Sequence, residues 1–179
     1  MAAKTPFEGR VQVYTGNGKG KTTAALGLAL RAAGHGLATY VGQFLKGRPS
    51  GELRSARRLS PLLKIEQFGR KSFLRPNGDP DEEDIERARR GLARCLKAML
   101  SGRYRIVVLD EVNVAVDLGL LSEREVLAVL DRRPDGVEVV LTGRSAPPAL
   151  LRRADLVTEM KERKHYASKG VRARAGIES

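Results

Sequence analysis

Between Thr15 and Thr23 the chain reads Thr-Gly-Asn-Gly-Lys-Gly-Lys-Thr-Thr. Three glycines (Gly16, Gly18, Gly20) and two lysines (Lys19, Lys21) fall within six residues, 16–21. Glycine lets a backbone curl with its N–H groups turned inward and no Cβ in the way. A helix starting just after such a turn adds unpaired N–H groups and a partial positive charge. The chemistry of this combination is phosphate binding. Lys21 supplies a cation for the phosphates, and the Thr22 hydroxyl is placed to meet a bound magnesium. Thr15, Gly16, Asn17, Gly18, Lys19, Gly20, Lys21, Thr22 and Thr23 are therefore read as nucleotide-binding. One detail departs from the usual G-x-x-x-x-G-K-[ST] pattern: five residues before Gly20 stands Thr15, and the glycine is Gly16, one place nearer the lysine.

A second group of chemical residues follows an apolar run, Ile106-Val107-Val108-Leu109-Asp110-Glu111. A buried strand that ends in carboxylates delivers them to the rim where a phosphate loop lies. Asp110 and Glu111, with Thr22, form a candidate magnesium set (or manganese), held directly or through water. Lys21 and Glu111 are the candidate catalytic residues. The loop and two acids leave three uses of a nucleotide open. These are hydrolysis with Glu111 polarising water, phosphoryl transfer to a small substrate, and use of ATP as an alkyl donor. The two histidines stand apart, His35 in a Gly-His-Gly turn and His165 in the tail, and make a poor zinc signal.

The elements that must position these groups are legible from periodicity. Strands are expected over Arg10–Thr15, Leu37–Phe44, Leu63–Phe68, Tyr104–Leu109, Val137–Leu141 and Leu156–Met160. A helix from Lys21 to about Gly34, apolar nearly all round, is expected to be buried. Others run from Glu52 to Leu59, from an Asp79 cap with Pro80 at its first position to about Ser101, from a Ser122–Glu125 capping box to about Arg132, and from Pro147 or Pro148 to Ala154. Alternation of strand and helix implies an α/β fold, a mostly parallel sheet with helices on both faces. In such sheets ligands bind beyond the carboxyl ends of the strands, which gathers the two motifs on one rim. The chain reads as a single domain over 1–179, with residues 1–9 as a mobile N-terminal arm.

Composition narrows the partners. The net charge of +12 favours anionic ones. With only 4% aromatics there is little material for base stacking, so a nucleotide is preferred to nucleic acid. A RecA-like or kinase-like ATPase and an ATP-switched nucleic-acid binder remain the rival readings. No apolar run is long enough to cross a bilayer and Met1–Arg10 carries no apolar signal core, so a cytoplasmic location is expected. The single cysteine, Cys95, excludes an intramolecular disulfide and sits on an apolar helix face.

Several stretches together resemble the P-loop type of ATP:cob(I)alamin adenosyltransferase. They are residues 15–24, Gly34-His35-Gly36, Gln43-Phe44-Leu45-Lys46-Gly47, Leu109-Asp110-Glu111-Val112-Asn113, Val140-Leu141-Thr142-Gly143-Arg144 with Pro147-Pro148, residues 154–160 with Lys164-His165, and Gly176-Ile177-Glu178. The resemblance implies a P-loop, RecA-like fold and a definite reaction. The Co(I) of a reduced corrinoid attacks the 5′ carbon of ATP, and triphosphate leaves. It implies ATP bound in the reverse sense from ordinary P-loop enzymes, with Arg144 among its ligands. The offset Gly16 would then belong to a loop retuned to hold triphosphate as a leaving group. It further implies corrinoid contacts at Phe73, Arg75 and Asn113, a reduced flavin or flavodoxin-like electron donor, an N-terminal arm folding over the corrinoid, and a homodimer. Phe73 matches an aromatic of the family's loop, whereas Arg75 stands where that pattern has tryptophan.

Overall fold

The computed structural model describes residues 7–70 and 81–178. Six strands form one sheet: β1 (Val11–Thr15), β2 (Thr39–Gln43), β3 (Leu63–Gln67), β4 (Ile106–Asp110), β5 (Glu138–Thr142) and β6 (Leu156–Glu159). Their order is β3-β2-β4-β5-β1-β6, and every pairing is parallel. The helices among the described residues are α1 (Lys21–Gly34), α2 (Gly51–Arg58), α3 (Glu82–Leu100), α4 (Val112–Asp117), α5 (Glu123–Leu130) and α6 (Pro148–Arg153). A short 3-10 turn, Tyr166–Lys169, lies in the tail.

Alternation along the central strands divides the core in two. Val11, Val13, Val107, Leu109, Val139 and Leu141 point to a face covered by α3 to α6, with Leu92, Cys95, Met99 and Leu150 buried among them. Val41, Ile106, Val108 and Val140 point to the other face, where α1 and α2 supply Ala25, Ala29, Ala32 and Ala56. Strands β4 and β5 are buried at every position, as runs of β-branched and aliphatic residues in a two-sided parallel sheet should be. The cysteine is fully buried.

Two expectations need correcting, and two elements were not foreseen. Helix α1 is not buried all round: it meets the sheet through small alanines, and Leu30 on its far side is 60% exposed. A helix laid on a sheet needs only one apolar stripe. Helix α3 is capped by Asp81, not Asp79; the Asp81 carboxylate accepts from the Asp84 N–H at 3.0 Å. Two aspartates two residues apart both suited the role, and Asp79 and Pro80 lie outside the described residues. Helix α4 and the tail turn have no counterpart in the sequence reading. The Ser122–Glu125 capping box forms as expected.

Candidate active site

The carboxyl ends of β1, β2, β4 and β5 carry Thr15, Gln43, Asp110 and Thr142, and the loop after β1 curls above them. Lys21, at the first turn of α1, is 7% exposed. Its ammonium donates back into the loop, to the carbonyl oxygens of Gly16 (2.6 Å) and Gly18 (2.8 Å). Burial pulls its pKa down from the usual lysine value; Glu111 opposes that shift and Arg144 adds to it. The three cationic and anionic groups thus feel one another at one point. No side chain caps the N-terminus of α1, where Gly20 adopts φ +124°.

The loop rests on Met160, the residue that follows β6. The Gly18 N–H donates to the Met160 carbonyl at 2.7 Å, and the Met160 N–H donates to Thr15 at 2.8 Å. Gly16 has φ +91°, and a Cβ there would overlap the Met160 carbonyl oxygen. This is a local, steric reason for glycine at position 16 rather than 15. The offset follows from how the loop packs on the end of the edge strand. Gly16→Ala is therefore expected to destabilise the fold by about 1–3 kcal/mol, the cost of forcing a side chain into the left-handed region. The midpoint of urea unfolding checks this; an unchanged midpoint would remove the steric explanation.

Asp110 is the hub of the site. It is fully buried, and its carboxylate accepts four hydrogen bonds. Thr22 and Thr142 donate their hydroxyls to Oδ1 at 2.7 and 2.8 Å. The Lys46 ammonium and the Gln43 amide donate to Oδ2 at 2.8 and 3.1 Å. The parallel register that sets Gln43 beside Asp110 across β2 and β4 makes the last contact unavoidable. Gln43 also accepts from the Gln67 amide at 3.0 Å, extending the network to β3. The start of α1, the loop after β2 and the end of β5 are thereby referenced to one buried anion. Lys46 and Gln43 were not among the residues assigned a role from sequence. Their role depends on strand order, which no local pattern reveals.

Glu111 behaves differently from its neighbour. It sits at φ +66°, its N–H donates to the Thr142 hydroxyl at 2.9 Å, and it opens α4. Burial raises its pKa above the usual carboxylate value, and the Asp110 charge raises it further; Lys46, Lys21 and Arg144 pull it back. The non-glycine residues with positive φ among the described residues are Leu45, Glu111 and Ser145. Each lies within three residues after the end of β2, β4 or β5. Strain of about 1–3 kcal/mol apiece is thus concentrated on this one rim.

A cavity of about 700 Å³ opens above these groups. Asn17 to Thr23, Lys46, Glu111 and Arg144 form one side, and Leu26, Glu52 and Ser55 another. The tail supplies a third wall through His165 and residues 176–178. The structure therefore brings Lys19, Lys21, Thr22, Glu111 and Arg144 together as the sequence predicted. Thr15 stands just below, its hydroxyl accepting from the Ala146 N–H at 3.3 Å. Asn113 is buried beneath the rim: its amide donates to the Gly143 carbonyl at 3.2 Å and so ties α4 to the turn after β5. Phe73 and Arg75 lie outside the described residues.

An all-parallel α/β sheet with a phosphate-type loop after β1 and an acidic rim at the end of β4 has the architecture of a P-loop nucleotide-binding domain. Residues 7–179 match the family ATP:corrinoid adenosyltransferase BtuR/CobO/CobP, and the chain belongs to that family. Relatives named corrinoid adenosyltransferase include one from Pseudomonas aeruginosa, 37% identical over 95% of this chain and 83% of its own length. Another, from Escherichia coli (strain K12), is 36% identical over 95% of this chain and 85% of its own. A third, from Salmonella typhimurium, is 37% identical over the same shares. The protein is accordingly an enzyme, a transferase of the corrinoid adenosyltransferase family. No described helix is long and apolar enough to cross a membrane.

Proposed function

We propose that the protein transfers the 5′-deoxyadenosyl group of ATP to the Co(I) of a reduced corrinoid and releases inorganic triphosphate. The observation that carries this reading is the convergence of Lys19, Lys21, Lys46 and Arg144 on one cavity large enough for a nucleotide. Four cations and a glycine-rich loop match a polyphosphate better than any neutral ligand.

The reaction balances as a substitution at carbon. The cobalt electron pair forms the Co–C5′ bond, the C5′–O bond breaks, and its electrons depart with the triphosphate. Cobalt is oxidised by two electrons in the process. An electron from reduced flavin or a flavodoxin-like donor takes the corrinoid from Co(II) to Co(I), and Phe73 and Arg75 are the residues the family resemblance gives to the corrinoid. Because the nucleophile belongs to the substrate, the protein's work lies in orientation and in stabilising charge that builds on the leaving group. Lys21 and the loop N–H groups meet that charge, with Lys19, Lys46 and Arg144 around it.

The donor set suits magnesium or manganese. Among the described residues no three acidic, histidine or cysteine side chains cluster as a metal cage. Thr22, Asp110 and Glu111 instead offer a few hard oxygens, which is how magnesium is held beside phosphates. With all four Asp110 bonds made to protein donors, Thr22 and Glu111 are the residues that would hold the ion, and Asp110 aligns Thr22 from behind. When bound, the ion neutralises phosphate charge and fixes its geometry.

Chemically reduced cobalamin and ATP, mixed with the protein, should yield the absorbance of a Co–C bond with triphosphate as co-product. Orthophosphate or diphosphate as the inorganic product would point instead to an ATPase or kinase using Glu111 on water. The absence of a Co–C bond would equally sink the proposal.

A further inference from the structure

The tail from Lys161 has no regular period, yet its far end is tied to the phosphate loop through Lys19. The Lys19 ammonium donates to the Glu178 carboxylate at 3.2 Å and to the Ile177 carbonyl at 3.0 Å. Glu178 also accepts from the Arg174 backbone N–H at 2.7 Å and from its guanidinium at 3.1 Å. The Tyr166 hydroxyl donates to the same carboxylate. Arg174 in turn lies 4.7 Å over the Tyr166 ring, which packs against His165. The Glu178 side chain is 17% exposed. All its partners but Lys19 belong to the tail, so Lys19 is where this knot meets the phosphate loop. His165, Gly176, Ile177 and Glu178 wall the cavity, and all four lie in or beside the knot.

We infer that Glu178 is a positioning residue for nucleotide binding: through Lys19 it fastens the C-terminal tail as a wall of the ATP site. This rests on the proposal that the cavity takes ATP. The physical case is one of shared anchoring. Lys19 has a long, flexible stem on a glycine-rich loop, and two of its three N–H donors are spent on the tail. Those contacts hold the ammonium at the cavity edge before ligand arrives, which lowers the ordering cost of binding. They also hold in place a segment that has no core of its own; the described tail from Lys161 onward contributes nothing to the buried hydrophobic set. Losing either end of the tie frees the same wall, so the two changes should not add.

The test is a double-mutant cycle on the full chain with Lys19→Ala, Glu178→Ala and the pair, reading ATP affinity by calorimetry in the presence of magnesium. Glu178→Ala should weaken ATP binding by about fivefold, a typical coupling between contacting residues. In the Lys19→Ala background the same change should add no more than about twofold. In turnover, Glu178→Ala should raise KM for ATP and leave kcat within about twofold, as removal of uniform binding does. Trypsin should cut at Arg172 or Arg174 faster in Glu178→Ala than in the unaltered protein. Additive effects, an unchanged affinity, or a fall in kcat at constant KM would overturn the inference. If the unaltered protein binds no ATP, the proposed function fails instead, and the trypsin comparison alone decides whether the tie exists.

Discussion

Lys21→Ala should abolish measurable adenosyl transfer while leaving a folded protein. The ammonium is enclosed by its own loop, 7% exposed, and lies within reach of the Gly16 and Gly18 carbonyls. It is the cation most removed from water in the site, where a charge acts on a leaving group with least screening. Loss of one such donor typically costs about 10²–10³ in rate, or ~2.7–4 kcal/mol of barrier. The fold should tolerate the change. Alanine is the best helix former, and the two hydrogen bonds lost are worth about 1 kcal/mol each. Rates from pre-reduced cobalamin measure the first claim, and the unfolding midpoint the second. Activity above about a tenth of the original, a loss below ~1.4 kcal/mol, would refute the proposed assignment of this loop to the triphosphate leaving group.

What the sequence disclosed and what it hid follow from the range of the interactions. The loop from Thr15 to Thr23 and the pair Asp110-Glu111 are local signals, strand followed by glycines or acids, and both stand where that pattern puts them. The buried character of β4 was legible because an unbroken aliphatic run suits only a two-sided sheet. Helix α4 was not, because Val-Asn-Val-Ala-Val-Asp has the β-branched content of a strand; tertiary packing of Val112 and Ala115, both fully buried, overrides that propensity. Asn113 carried a chemical expectation from the family resemblance, and the structure puts its side chain under the turn after β5. Lys46 and Gln43 were hidden for another reason: they reach Asp110 across 64 and 67 residues of chain. Only the pairing of β2 with β4 brings them there. Glu178 is the extreme case, meeting Lys19 from 159 residues away through a segment with no period at all.

The adjacent carboxylates should separate cleanly when each is removed. Asp110→Ala strips the acceptor from four donors at once. Gln43 and Thr142 are fully buried, and Lys46 would be left as a half-covered cation without its partner. Breaking a buried charge pair from one side costs about 3–5 kcal/mol. Because Lys46 keeps 31% of its side chain in contact with solvent, the lower end of that range is expected. Glu111→Gln should do the opposite to stability. Burial first, and the Asp110 charge second, raise the Glu111 pKa, so the folded state disfavours its ionised form. For an acid whose folded pKa is raised, the stabilising contribution is present below its unfolded pKa of about 4.3. It is lost as pH climbs through the folded value. Removing the charge should therefore stabilise the protein at neutral pH and flatten stability in the window just above the ordinary carboxylate range. Activity should still fall, because Glu111 faces the cavity beside Lys21 and Thr22. Unfolding midpoints of the two variants, measured from pH 4 to 8, decide the matter. If Asp110→Ala is no less stable than the parent, the hub is not structural. If Glu111→Gln is destabilised at neutral pH, the strain assigned to its charge is wrong. One carboxylate thus holds the site together through four hydrogen bonds, and its neighbour is disfavoured in its ionised form. The fixed anion aligns Lys46 and Thr22, and on the proposed function the second would gain a partner when a cation and a polyphosphate bind.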